Sequence, residues 1–128
     1  MASWSPLILL LLCFGGVASY NLEFHIIRAF GLTSKPDGEP TNSFVRVTCR
    51  GVVIGETSVQ YDTVAPLWNQ KFYTAASVGT NVLIEMLNTD GSNISPLMSC
   101  RLNLKWGMWN DSCTVFTGGA LFYAYTLK

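Results

Sequence analysis

An all-β sandwich or barrel is the fold class this sequence predicts, and three observations predict it. Short alternating runs of apolar and polar residues recur through residues 20–128. Turn signals separate them at intervals of about 8–12 residues. No stretch carries the 3.6-residue apolar repeat of an amphipathic helix. About eight strands are expected, in a chain whose 128 residues fit one domain plus a targeting segment.

Taken in order, residues 1–19 stand apart. Pro6 to Ala18 is uncharged, Leu7 to Phe14 is an almost unbroken apolar run, and Val17-Ala18-Ser19 supplies small residues. That run is too short to cross ~30 Å of hydrocarbon as a helix. It reads as a secretory signal peptide cleaved after Ser19, leaving a domain over 20–128 that is secreted and extracellular. No later run is long enough and free enough of charge to span a membrane.

In the first strand Leu22, Phe24 and Ile26 alternate with Glu23 and His25. A long loop follows over 31–42, with Lys35-Pro36-Asp37-Gly38 and Pro40, and long loops in compact domains are usually functional. Strands are expected at about 43–50 and 52–59, joined through Arg50-Gly51, and then at Trp68–Thr74. Val82, Ile84 and Met86 open another, which runs into a polar loop from Asn88 to Pro96. Leu102, Leu104 and Trp106 resume the alternation, and Gly107 with Asn110-Asp111 reads as a turn. Gly118-Gly119 leads into the aromatic last strand, Ala120–Leu127, where Phe122, Tyr123 and Tyr125 read as packing residues.

Eight Lys and Arg balance eight Asp and Glu, with no basic stripe, which excludes nucleic acid as a partner class. His25 is the only histidine, and no nucleophile elbow, zinc-ligand spacing or phosphate-cradling loop is present, so the chain is not expected to be an enzyme. Once Cys13 leaves with the signal peptide, Cys49, Cys100 and Cys113 remain, and three single-bridge pairings are open. Cys49 shares a strand face with Val45 and Val47, which favours its burial and a Cys100–Cys113 bridge. An intermolecular bridge through Cys49 stays open.

Asp62-Thr63-Val64-Ala65-Pro66-Leu67-Trp68-Asn69-Gln70-Lys71-Phe72 resembles the central signature of C2 domains, in which a proline, a Trp-Asn pair and a phenylalanine introduce a core strand. Thr41-Asn42-Ser43-Phe44-Val45-Arg46-Val47 is similar to the exit of that family's first loop, and the likeness runs from Leu22 to Leu127. Within the family, Met98-Ser99-Cys100-Arg101 and Asp111-Ser112-Cys113, followed by Gly118-Gly119-Ala120-Leu121-Phe122-Tyr123-Ala124-Tyr125, most resemble the C-terminal C2 domain of perforins, here standing alone. The resemblance implies an eight-stranded antiparallel C2-type β-sandwich and supports the Cys100–Cys113 pairing. Nothing corresponds to the pore-forming part of perforins, so no lytic activity is implied.

It also implies calcium held between the first and third loops, bridging to lipid headgroups. Calcium takes six to eight oxygen ligands, and the number of charged ligands tunes affinity. Asp37, Asn42, Asn88 and Asp90 stand nearest the family's ligand positions, with amides where aspartates are usual, so the implied site is weak at best. The competing reading makes these residues ordinary turn formers. Leu32, Ile94 and Leu97 are the apolar loop residues suited to shallow membrane insertion. Asn93-Ile94-Ser95, followed by Pro96, and Asn110-Asp111-Ser112 are glycosylation sequons, of which Asn110 is the better placed. The expected function is a secreted module that binds membrane phospholipid, with weak calcium dependence and no pore formation. The alternative is a calcium-independent module whose partner is an extracellular protein.

Overall fold

The computed structural model describes residues 20–33 and 38–128; the expected signal peptide and Asp37 lie outside the described residues. The described residues form nine strands: β1 (Leu22–Phe30), β2 (Thr41–Cys49), β3 (Val52–Glu56), β4 (Gln60–Thr63), β5 (Leu67–Thr74), β6 (Asn81–Asp90), β7 (Asn93–Asn103), β8 (Gly107–Thr114) and β9 (Ala120–Leu127). One antiparallel sheet runs β5-β1-β9-β8, and the other runs β3-β2-β6-β7 with β4 also pairing to β2. This is the all-β, C2-type sandwich expected from the sequence. Two of the nine, β4 and β8, have no counterpart among the strands placed from the sequence; β4 is only four residues long, and its Gln60 and Thr63 pair with Ser43 and Thr41. No helix among the described residues is long and apolar enough to cross a membrane.

Alternation explains the core. Leu22, Phe24 and Ile26 from β1 meet Val45, Val47 and Cys49 from β2, Val82, Ile84 and Met86 from β6, and Leu121, Tyr123, Tyr125 and Leu127 from β9, all buried. Phe24 stacks on both Tyr123 and Tyr125, with ring centroids 5.6 and 5.9 Å away. Fully burying an apolar side chain of this size is worth about 1.5–3 kcal/mol, so these rows are the main stabilising term. Burial first, then the negative charge of Asp111 and the neighbouring Tyr125, pushes the Tyr123 phenol up to about 12.

Two bulges reset the alternation where the sequence gives no sign of it. In β1 the register slips between Ile26 and Arg28, so that Ala29 faces inward and Arg28 faces out to lie 4.9 Å over the Phe122 ring. In β7 the register slips between the pairs Met86↔Met98 and Leu87↔Pro96, and the extra residue, Leu97, turns inward beside Met98.

Both open sides of the sandwich are closed. On one, Trp68 Nε1 donates to the Ser58 carbonyl at 3.0 Å and the Ser58 amide donates to Gln70 Oε1 at 2.8 Å. On the other, the Cys100–Cys113 disulfide joins β7 to β8, and the Phe116 amide donates to the Leu97 carbonyl at 3.0 Å. Cys49 is a buried free cysteine, as its strand face predicts. Asn110 and Asp111, read from the sequence as a turn, instead lie within β8; an edge strand pairs on one side only and tolerates the polar residues that imitate a turn signal.

Candidate functional site

One end of the sandwich gathers residues 31–33 and 38–40, the 63–66 loop, the β6–β7 turn and the 115–119 loop. The described ends of the first loop lie against the sheets. The Leu32 amide donates to the Val64 carbonyl at 3.0 Å, and Thr33 bridges to Pro40. Leu32 becomes a fully buried plug between the sheets.

At this end lies a cleft of about 370 Å³, lined by Glu39, Pro40, Asn42, Asn88, Thr89 and Asp90, with Asn93 and Ser95. The structure thus brings together Asn42, Asn88 and Asp90 of the expected calcium set. Glu39, which sequence reading passed over, joins them because the first loop returns through Pro40. Among the described residues, no group of three His, Cys, Asp or Glu side chains is close enough to hold a metal ion.

The two asparagines are already engaged with the protein. The Asn42 backbone amide donates to Asn88 Oδ1 at 2.9 Å. Asn42 Oδ1 accepts from the Asp62 amide at 2.8 Å, and Asn42 Nδ2 donates to the Thr89 carbonyl at 3.2 Å. One side chain therefore ties β2 to both β4 and β6. An aspartate could keep the contact to Asp62 but has no N–H for Thr89. This brace fixes the loop end with neutral amides, where charged ligands would repel one another until a cation bound. Asn42→Asp is accordingly expected to lower stability in chelator by about 1–2 kcal/mol, the cost of one lost hydrogen bond beside added negative charge. Millimolar calcium is expected to return more stability to that variant than to the parent, as read by thermal unfolding.

The expected membrane-docking residues need correction. Leu32 is 0% and Leu97 is 3% exposed, because the hydrogen bond from Leu32 to Val64 and the β7 bulge turn them into the core. Ile94 remains exposed at 59%, at the β6–β7 turn. Three apolar residues that sequence reading did not select accompany it at the same end: Tyr61 at 71%, Phe116 at 67% and Val64 at 42% exposed. Phe116 beside the Gly118-Gly119 turn was the one detectable signal. His25 faces outward on the four-stranded sheet, its Nε2 donating to Asn69 Oδ1 at 2.6 Å, and is no part of this end.

The family model for C2 domains matches residues 20–106. The chain belongs to the C2 domain family. A solved C2 domain is 30% identical, with a TM-score of 0.76 over 84% of this chain and 96% of that one. The C2A domain of plant extended synaptotagmin 1 shares the fold at 16% identity, with a TM-score of 0.68 over 87% of this chain and 97% of that one. Human GIVD cytosolic phospholipase A2 shares it at 14% identity and a TM-score of 0.71, over 84% of this chain but only 17% of the phospholipase. No curated protein matches the chain. As a C2 domain it is a non-catalytic membrane- and lipid-binding module.

Proposed function

We propose that this C2 domain is secreted and docks peripherally on phospholipid through its loop end, by shallow insertion of Ile94, Phe116, Tyr61 and Val64, with calcium contributing weakly at the cleft. The observation that carries this reading is the exposure of four large apolar side chains around a polar cleft at one end of the sandwich. Apolar residues of this kind bury into the boundary between headgroups and acyl chains, while polar groups between them meet the headgroups. Asp90 and Glu39 supply the cleft's carboxylates, and the engaged Asn42 and Asn88 oxygens leave calcium a minor term.

Secretion is supported by the apolar leader over residues 1–19 and by a disulfide of the sort that persists in oxidising compartments. A perforin-type origin is supported by the order of Cys100 and Cys113 relative to the last strand.

Sedimentation with vesicles of phosphatidylcholine, with and without phosphatidylserine, tests the proposal on the domain from Tyr20 to Lys128. The parent protein is expected to bind in chelator and to gain less than about tenfold, equivalent to 1.4 kcal/mol, in millimolar calcium. Ile94→Asp with Phe116→Asp is expected to weaken binding at least tenfold without moving the unfolding midpoint. Absence of vesicle binding in both conditions would overturn the proposal and leave an extracellular protein as the partner. Binding that appears only with calcium and disappears in Asp90→Ala would overturn the minor role given to the ion.

A further inference from the structure

We propose that Asn110 carries an N-linked glycan that covers the apolar outer face of the sandwich's edge strand at Met108. The proposal rests on the secretion reading above. It starts from β8, the outermost strand of the β5-β1-β9-β8 sheet. Six of its eight residues, Gly107 to Ser112, are exposed in succession. Met108 is 82%, Trp106 60% and Trp109 42% exposed. A strand edge that displays unpaired backbone groups beside large apolar side chains is a template for self-association unless something covers it.

The sequon Asn110-Asp111-Ser112 lies in the middle of this edge. Asn110 shares a strand face with Met108, two residues away, and pairs across to Ala124. Because Ala124 is small, the sheet is open there, and a depression of about 280 Å³ runs beside Asn110, walled by Met108, Trp109, His25 and Glu23. The first sugar attached to Asn110 has that depression and the Met108 side chain within reach. Asn110 is also four residues back from Thr114, the loop-end terminus of β8, which at ~3.3 Å per residue is about 13 Å from the docking end. A glycan there leaves membrane contact free. At the other sequon, Asn93 lines the docking cleft and Pro96 follows Ser95.

In the attachment step the Asn110 Nδ2 nitrogen forms a bond to the anomeric carbon of an oligosaccharide carried on a lipid diphosphate. The anomeric C–O bond breaks, lipid diphosphate leaves with the electron pair, and the amide nitrogen loses one proton. No oxidation or reduction is involved.

The test is secretion of the full chain from mammalian cells, followed by mass measurement before and after peptide N-glycosidase. A mass drop on digestion that leaves aspartate at 110 is expected, with Asn110→Gln abolishing it and Asn93→Gln leaving it intact. Secreted Asn110→Gln is expected to self-associate in light scattering at concentrations where the glycoprotein is monomeric, and adding Met108→Lys is expected to restore the monomer. A secreted protein without the mass drop, or with a drop that belongs to Asn93, overturns the assigned site while leaving secretion standing. A glycan at Asn110 whose loss leaves a monomer overturns its covering role. A chain retained in the cytosol with residues 1–19 uncleaved overturns the secretion reading and this proposal with it.

Discussion

Replacing Cys100 and Cys113 together by alanine is expected to destabilise the domain by about 3 kcal/mol, the value for a closed loop of this length in the chain-entropy model. The separation is 13 residues. For a domain of this size that corresponds to a fall of roughly 10–20 °C in the unfolding midpoint. The bridge's position gives the loss a specific form. It joins edge strands of the two sheets, on the side where the sandwich is otherwise held by the contact from Phe116 to Leu97. Its removal is expected to raise hydrogen exchange first along β8 and the lower half of β7, before β2 and β6 are affected. Reductant should bring the parent protein down to the level of the double variant and leave that variant unmoved. Cys49→Ala is the matching control. Burial pushes the Cys49 thiol up, with Arg50 partly opposing, and the residue sits against Val82 in register, so it is sheltered from exchange. That variant should keep its full response to reductant. A parent midpoint indifferent to reductant, or a covalent dimer through Cys49, would contradict this account.

Much of the fold was legible because it depends on period-2 alternation and turn chemistry. Val45, Val47 and Cys49 had to share a face whatever their partners were, and Arg50-Gly51 had to turn the chain between β2 and β3. The disulfide followed from the same reasoning, since a Cys49 that points inward leaves the other two. Alternation fails where a bulge adds a residue to one strand only, because the bulge is a property of the pair. Leu97 looks like a loop residue after Pro96, yet its direction is decided by Met86 and Leu87 across the ladder. Leu32 was misjudged for a related reason: its burial comes from a hydrogen bond to Val64, 32 positions away in a different loop. The candidate site was legible as a set of residues but not as chemistry. Asn42 and Asn88 stand 46 positions apart, and only the β2–β6 register shows that one amide satisfies the other and braces the loop end.

The same dependence on cross-chain geometry makes Gly119 the most sensitive position at the loop end. Its φ is 116°, and an added Cβ would fall on the Phe30 carbonyl oxygen and close to the Gly31 Cα. Gly31, at φ 74°, is the reciprocal partner, since its own Cβ would meet the Gly119 Cα at 2.8 Å. Two backbones therefore cross in direct contact, with no side chain between them that can move aside. The crossing is reinforced by the Val115 amide donating to the Gly119 carbonyl at 3.0 Å and by Thr117 Oγ1 donating to the Gly31 carbonyl at 3.4 Å. It holds the 115–119 loop, and with it Phe116, against the first loop. Gly119→Ala adds backbone strain of about 1–3 kcal/mol to an overpacking cost of similar size, so a loss of roughly 2–5 kcal/mol is expected in urea unfolding. Gly118→Ala separates the two terms: its φ is 105°, but an added Cβ would meet nothing within 4 Å. It should cost only the strain. At temperatures where both variants remain folded, Gly119→Ala alone should also weaken vesicle binding, because moving one crossing displaces Phe116 while leaving Ile94 in place. Equal losses for the two substitutions would show that conformation, not the crossing, sets the requirement, and the loop end would then owe its shape to the Asn42–Asn88 brace.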